Sequence, residues 1–280
     1  MEVAEKRKWW LEHYPDGVVH DVDLTQYSSL VQMLDESFAQ YADRAMYTCM
    51  DKTLTFRDVD RFSNAFGAWL QSKGLAKGSR VALMMPNVLQ YPIAIIGVLR
   101  AGYVVVNVNP LYTPRELEHQ LYDSGAVAIV ILENFATTLQ TVLAKTKIKH
   151  VVLASVGDLL GFPKSFITNI VVRHVKNAVP EFLLPTAVRF NSVIVAGRNM
   201  SLSKSALEPK EIAFLQYTGG TTGVSKGAVL SHENIFCECL LIDAWIKPAM
   251  VDTTRGPLPD PLVIVCALPM YHIFALVTCM

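Results

Sequence analysis

The sequence predicts an α/β fold with mainly parallel sheets flanked by helices. Two observations carry the prediction. Strand-like and helix-like segments alternate along the first half of the chain, which implies βαβ units. Runs such as Val127–Leu132 are apolar throughout, as strands covered on both faces are.

Taken in order, Ser29–Tyr41 reads as an amphipathic helix. Leu30, Leu34, Phe38 and Tyr41 share one face, and Ser28 or Ser29 supplies the cap. Ala45–Met50 and Thr53–Phe56 read as short strands around Asp51-Lys52. A helix carrying Phe62, Phe66, Trp69 and Leu70 ends at Gly74, and a strand follows at Val81–Met85. Pro86-Asn87 opens a helix that runs to the region of Ala101, and Tyr103–Val108 is a strand. Thr113-Pro114-Arg115-Glu116 starts the next helix: Thr113 is the N-cap, Pro114 suits the first helical position, and Glu116 closes a capping box. Val127–Leu132 is a strand, Phe135–Lys145 a helix and His150–Leu153 a strand. The alternation resumes at Glu211 with a strand at Ile212–Tyr217, a glycine-rich loop, a short strand at Ala228–Leu230 and a helix capped by Ser231. Leu262–Leu268 reads as a further strand, ended by Pro269.

Lys plus Arg and Asp plus Glu number 25 each, a formal net charge of zero. A general nucleic-acid binder carries a basic excess, so no nucleic-acid partner is expected. The chain is 51% hydrophobic with mean hydropathy +0.30, which implies extensive burial, a lipid-facing surface or a missing partner segment. Ile93–Leu99 and Tyr103–Val106, the longest apolar stretches, are split by Arg100 and too short to cross a bilayer. The charged start, with Glu2, Glu5, Lys6, Arg7 and Lys8, is followed by no apolar region of the kind a secretory signal needs. Cys49, Cys237, Cys239, Cys266 and Cys279 show neither framework nor metal spacing, so reduced thiols in a cytoplasmic protein are expected.

Gly161–Met200 breaks the rhythm. It holds Lys164, Arg173, Lys176, Arg189 and Arg198 against one acid, Glu181, among many apolar residues. Two readings stand. One is a packed connection with a solvated charged face; the other is peripheral contact with an anionic membrane, on the inner face of the cell membrane. The organisation expected is a first α/β subdomain over 1–160, a basic apolar connection over 161–210, and the start of a second subdomain over 211–280.

The run that carries chemistry is Tyr217-Thr218-Gly219-Gly220-Thr221-Thr222-Gly223-Val224-Ser225-Lys226-Gly227, directly after a predicted strand. Glycines let the backbone approach a ligand closely, and successive N–H groups in such a turn form an anion-binding nest. Thr218, Thr221, Thr222 and Ser225 add hydroxyls, and Lys226 adds a positive charge. Together they make a phosphate cradle. It is not a P-loop, which ends in Gly-Lys-Ser/Thr, whereas Lys226 lies between Ser225 and Gly227.

This run resembles the signature of the adenylate-forming superfamily of acyl-CoA synthetases, luciferases and peptide-synthetase adenylation domains. Met85-Pro86-Asn87, Val106–Thr113 and Pro269-Met270-Tyr271-His272 look like further family segments in the family order. Leu83–Gln120 looks especially like bacterial long-chain fatty acid-CoA ligases. The resemblance implies the incomplete large N-terminal domain of the adenylate-forming fold. It also implies a two-step reaction. A fatty acid carboxylate attacks the α-phosphorus of ATP, pyrophosphate leaves, and the thiol of CoA then displaces AMP from the acyl-adenylate. Such chemistry needs alignment and charge neutralisation more than a protein nucleophile, and neither a Gly-x-Ser-x-Gly elbow nor a His-Glu-x-x-His motif occurs.

By the same resemblance, Thr218 to Gly223 hold the β- and γ-phosphates, Lys226 offsets the charge growing on pyrophosphate, and Thr222 helps with Mg²⁺. Lys226 and His272 are the candidate catalytic residues, with His272 bordering the carboxylate and acyl pocket. Asn87, Tyr112 and Thr113 are expected to be wall and scaffold. The family's adenine-binding stretch, its Mg²⁺-holding glutamate, its ribose-binding aspartate and the small C-terminal domain with its catalytic lysine are expected in a missing C-terminal half. Two alternatives stay open: a fatty acyl-AMP ligase that delivers to a carrier protein, and a non-catalytic, truncated nucleotide-binding relative.

Overall fold

A computed structural model describes residues 9–218, 225–250 and 262–280. A two-stranded antiparallel hairpin, β1 (Ala45–Cys49) and β2 (Lys52–Thr55), stands apart from a seven-stranded sheet. The large sheet contains β3 (Arg80–Met84), β4 (Val104–Asn107), β5 (Ala128–Leu132), β6 (His150–Ala154), β7 (Val188–Arg189), β8 (Ile212–Thr218) and β9 (Lys226–Ser231). Its order is β7-β6-β5-β3-β4-β8-β9. Every neighbour is parallel except β9, which runs antiparallel to β8. The α/β class with a mainly parallel sheet is therefore observed. The sheet crosses the subdomain limits drawn from the sequence, because β8 pairs with β4 and β7 pairs with β6.

Helices α1 (Leu30–Gln40), α2 (Phe56–Gln71), α3 (Gln90–Arg100), α7 (Phe190–Gly197) and α8 (His232–Met250) contribute to one core, where Phe66, Tyr91, Phe190, Phe214 and Phe236 are fully buried. Helices α4 (Pro114–Ser124) and α5 (Ala136–Val142) contribute Leu117, Leu121 and Leu139 to a second core with Ile129 and Ile131 of β5. Central strands buried on both faces explain the unbroken apolar runs of the sequence. Local signals held where caps were readable: Ser29 Oγ accepts from Gln32 N at 3.2 Å, and the Thr113–Glu116 capping box is complete.

Two expectations fail. Leu262–Leu268 is not a strand, and Leu262, Val263, Ile264 and Val265 are exposed. An apolar run supplies strand character but not a partner, and the sheet order ends at β9. The end of this segment is held instead by the Asn87 side chain, whose Nδ2 donates to Cys266 O at 3.0 Å and Leu268 O at 2.9 Å. Correspondingly, Pro86-Asn87 does not open a helix. Helix α3 starts at Gln90, which leaves Asn87 free of helical geometry to make these bonds.

The region 161–200 is partly built into the fold. Helix α6 (Lys164–Ile170) leads into a short π-helical turn at Val171–Val175, β7 extends the sheet edge, and α7 packs against α2. Much of its positive charge is paired within the chain. Arg173 and Arg189 both bind the buried Glu133 carboxylate, at 2.9 and 2.6 Å, and Lys164 pairs with Asp51 at 3.0 Å. Burial alone would raise the Glu133 pKa; hydrogen bonds from Arg173, Arg189 and Ser155 outweigh it and hold the carboxyl below its usual range.

His232, the first residue of α8, is only 1% exposed, and its Nδ1 has no hydrogen-bond partner. Burial pushes its pKa down to about 4, against ~6.5 for a solvated imidazole. The unfolded chain therefore binds more protons between those values. Stability that is present above pH ~6.5 is lost as pH falls toward 4, by an amount on the order of 3 kcal/mol. In His232→Leu that loss should disappear. Urea midpoints at pH 7.5 and 4.5 check this, and equal pH dependence in both proteins would contradict it.

Candidate active site

The proposed phosphate run spans the connection between β8 and β9 and the strand ends that flank it. Thr218 pairs with Lys226, and Tyr217 with Gly227, so the two flanks of the run are brought side by side. Gly219, Gly220, Thr221, Thr222, Gly223 and Val224, including the expected Mg²⁺ residue, lie outside the described residues. What the structure places is the frame: Tyr217 and Thr218 before them, and Ser225, Lys226 and Gly227 after.

Strand alternation sorts these residues onto two faces. Tyr217 packs into the second core, and its hydroxyl donates to Asp123 Oδ2 of α4 at 2.5 Å. Burial first, and the Asp123 carboxylate next, push its phenol well above the usual range. Gly227 faces the same ring, and a Cβ there would meet Tyr217 ring carbons at 2.9 Å, which excludes a side chain. Thr218 and Lys226, both exposed, fall on the opposite face. So does Leu230, two alternations beyond Lys226.

On that face lies the second family-like segment. Gln216 Nε2 donates to Tyr271 O at 2.5 Å. Gln216 Oε1 accepts from Asn107 Nδ2 at 3.0 Å, and Asn107 Oδ1 accepts from the Tyr91 hydroxyl at 2.8 Å. Asn87 Oδ1 accepts from Met270 N at 2.8 Å. Asn87 is thus scaffold. His272 is exposed, stacks obliquely on Tyr271 at 4.6 Å between ring centroids, and precedes α9 (Ile273–Cys279). Its segment is tied to β8 only two residues before Thr218.

Beyond His272, α8 and α9 enclose an apolar groove of about 590 Å³. Leu230 of β9 lines it together with Ile235, Ile242, Trp245, Ile273, Phe274 and Val277. The side of β9 that carries Lys226 therefore continues into the groove.

Sequence reasoning missed Tyr91, Asn107, Asp123 and Gln216. For Asn107 and Gln216 a signal existed: each is a polar residue in an otherwise apolar, buried strand, and such a group needs a partner. The groove carried no such signal, because its walls come from helices whose apolar faces look like ordinary core.

The family described as AMP-binding enzyme matches residues 34–280. A long-chain-fatty-acid–CoA ligase of Escherichia coli O6:H1 is 50% identical over 273 residues, which are 96% of this chain and 47% of that protein. Another, of Bacillus subtilis, is 32% identical over 277 residues, 99% of this chain and 48% of that protein. The chain spans about half the length of the curated relatives it matches. A solved long-chain-fatty-acid-CoA ligase from Archaeoglobus fulgidus aligns with a TM-score of 0.68 at 20% identity, over 95% of this chain and 47% of that one. At that identity the likeness concerns the fold.

Proposed function

The chain belongs to the AMP-binding enzyme family, and from that premise we propose that it serves the ATP-dependent activation of a long-chain fatty acid, to acyl-AMP and then acyl-CoA. One observation carries the reading: a single face of β9 leads from Lys226, at the start of the strand, to a mainly apolar groove that suits an acyl chain. The acid's chain lies between α8 and α9, and its carboxylate meets the α-phosphorus beside Thr218 and His272. Lys226 then faces the charge that develops on departing pyrophosphate, where a fixed cation lowers the barrier. The curated relatives are named as CoA ligases, which favours CoA over a carrier protein as the acceptor.

Magnesium would enter with the triphosphate. Among the described residues no group of three or more His, Cys, Asp or Glu is placed to hold an ion. The donors on offer are phosphate oxygens, water and hydroxyls such as Thr218, a set this hard cation accepts. It would supply charge neutralisation; alignment rests with the chain.

Because the chain spans about half of its relatives, the assay uses a chimera in which residues 1–280 replace the matching half of the Escherichia coli ligase. Given ATP, a long-chain acid and CoA, it should release AMP and form acyl-CoA. ADP as the nucleotide product would overturn the proposal.

Membrane contact through α6 accompanies this reading. No described helix is long and apolar enough to cross a membrane. Phe162, Phe166 and Ile167 are nevertheless 91%, 62% and 55% exposed, and the segment's cations are largely paired internally. Attachment would therefore rest on apolar insertion more than on charge. Co-sedimentation with anionic vesicles should fall roughly tenfold or more in the Phe162→Ala, Phe166→Ala double variant, since each buried ring contributes about 1.5–3 kcal/mol. Undiminished binding would contradict it.

A further inference from the structure

Helix α4 touches both flanks of the phosphate run. His119 Nε2 lies 3.2 Å from Ser225 O, and because a carbonyl only accepts, this nitrogen carries the proton. One turn later Asp123 receives the Tyr217 hydroxyl at 2.5 Å. Residues four apart on a helix share a face, so one face of α4 holds both flanks of the run.

The helix itself is firmly set. Its start is fixed by the Thr113–Glu116 capping box and its end by Gly125 at φ 64°. Leu117 and Leu121 are fully buried in the second core. Gln120 Nε2 donates to Asn107 O at 2.8 Å, which joins α4 to the Tyr91–Asn107–Gln216 chain that holds the His272 segment.

We propose that His119 and Asp123 are positioning residues that fix the two flanks of the ATP-phosphate segment, through Ser225 and Tyr217, before the triphosphate binds. The proposal rests on the reading of residues 217–227 as a phosphate site. Flanks that are held beforehand lose little freedom on binding, and this preorganisation raises affinity without any new contact to the ligand.

The test uses the 280-residue chain, with inorganic tripolyphosphate as the probe and backbone amide exchange at Thr218, Ser225 and Lys226 as the readout. In the wild type, tripolyphosphate should slow exchange at these amides. His119→Ala and Asp123→Ala should each raise the half-saturating tripolyphosphate concentration roughly tenfold, the order expected for loss of one hydrogen bond to a charged or strongly polar partner. Asp123→Asn keeps an acceptor for the Tyr217 hydroxyl and should restore most of the affinity. Thermal midpoints of all variants separate this from general loss of structure, because a merely structural role would not be rescued in affinity by asparagine. Equal tripolyphosphate affinity in wild type and both alanine variants overturns the proposal while leaving the phosphate reading intact. No response to tripolyphosphate in the wild type removes the phosphate reading, and the proposal with it.

Discussion

Val277→Trp should cut activity on the longest fatty acids by about a hundredfold while leaving medium-chain acids almost untouched. Val277 lines the groove between α8 and α9, where an indole would occupy space otherwise open to the acyl chain. Excluding three or four methylenes forfeits about 0.8 kcal/mol each, or roughly 2.5–3 kcal/mol in kcat/KM. Activity retained on the shorter acids shows that the variant is folded, so the comparison is internal. Measurement of kcat/KM across a chain-length series in the chimera checks it. A uniform loss at every length would place the acyl chain elsewhere.

Lys226→Ala should reduce adenylation by one to two orders of magnitude. Lys226 is exposed at the start of β9 and opposite Thr218 in register, so its removal disturbs no core packing. Loss of a charged contact to phosphate costs about 1.5–3 kcal/mol, and the loss should fall mainly on kcat, since charge on the leaving pyrophosphate is greatest in the transition state. Lys226→Arg should recover part of the rate. An unaltered rate in Lys226→Ala would remove this lysine from the reaction.

The sequence announced those elements whose information is local. The capping box at Thr113, the cap at Ser29 and the apolar strands around residues 81, 104 and 128 need only their neighbours to be recognised. The phosphate reading of residues 217–227 rests on residue type alone, since glycine, threonine and lysine together imply a ligand of a definite kind, and residues 219–224 lie outside the described residues. Sheet membership was not legible: β8 sits beside β4 although more than 100 residues separate them, and no periodicity encodes that pairing. The failed strand at Leu262–Leu268 has the same origin, since its apolar residues carry strand character without naming a partner. The basic character of 161–200 misled in a different way. Composition counts charges but not their partners, and Glu133, which precedes the segment in the chain, binds two of its arginines. The grip of α4 on the hairpin joins residues about 100 positions apart, so only the folded chain displays it.

The central claim, that this chain carries the phosphate hairpin and acyl groove of an acid-activating enzyme, meets its most direct test in isotope exchange between pyrophosphate and ATP. The chimera with the Escherichia coli ligase is supplied with ATP, magnesium and labelled pyrophosphate, and CoA is withheld. Label should enter ATP only when a long-chain fatty acid is added, because the acid must attack the α-phosphorus before pyrophosphate can return. Exchange that needs no acid, or none from a folded chimera given acid and ATP, would contradict the account.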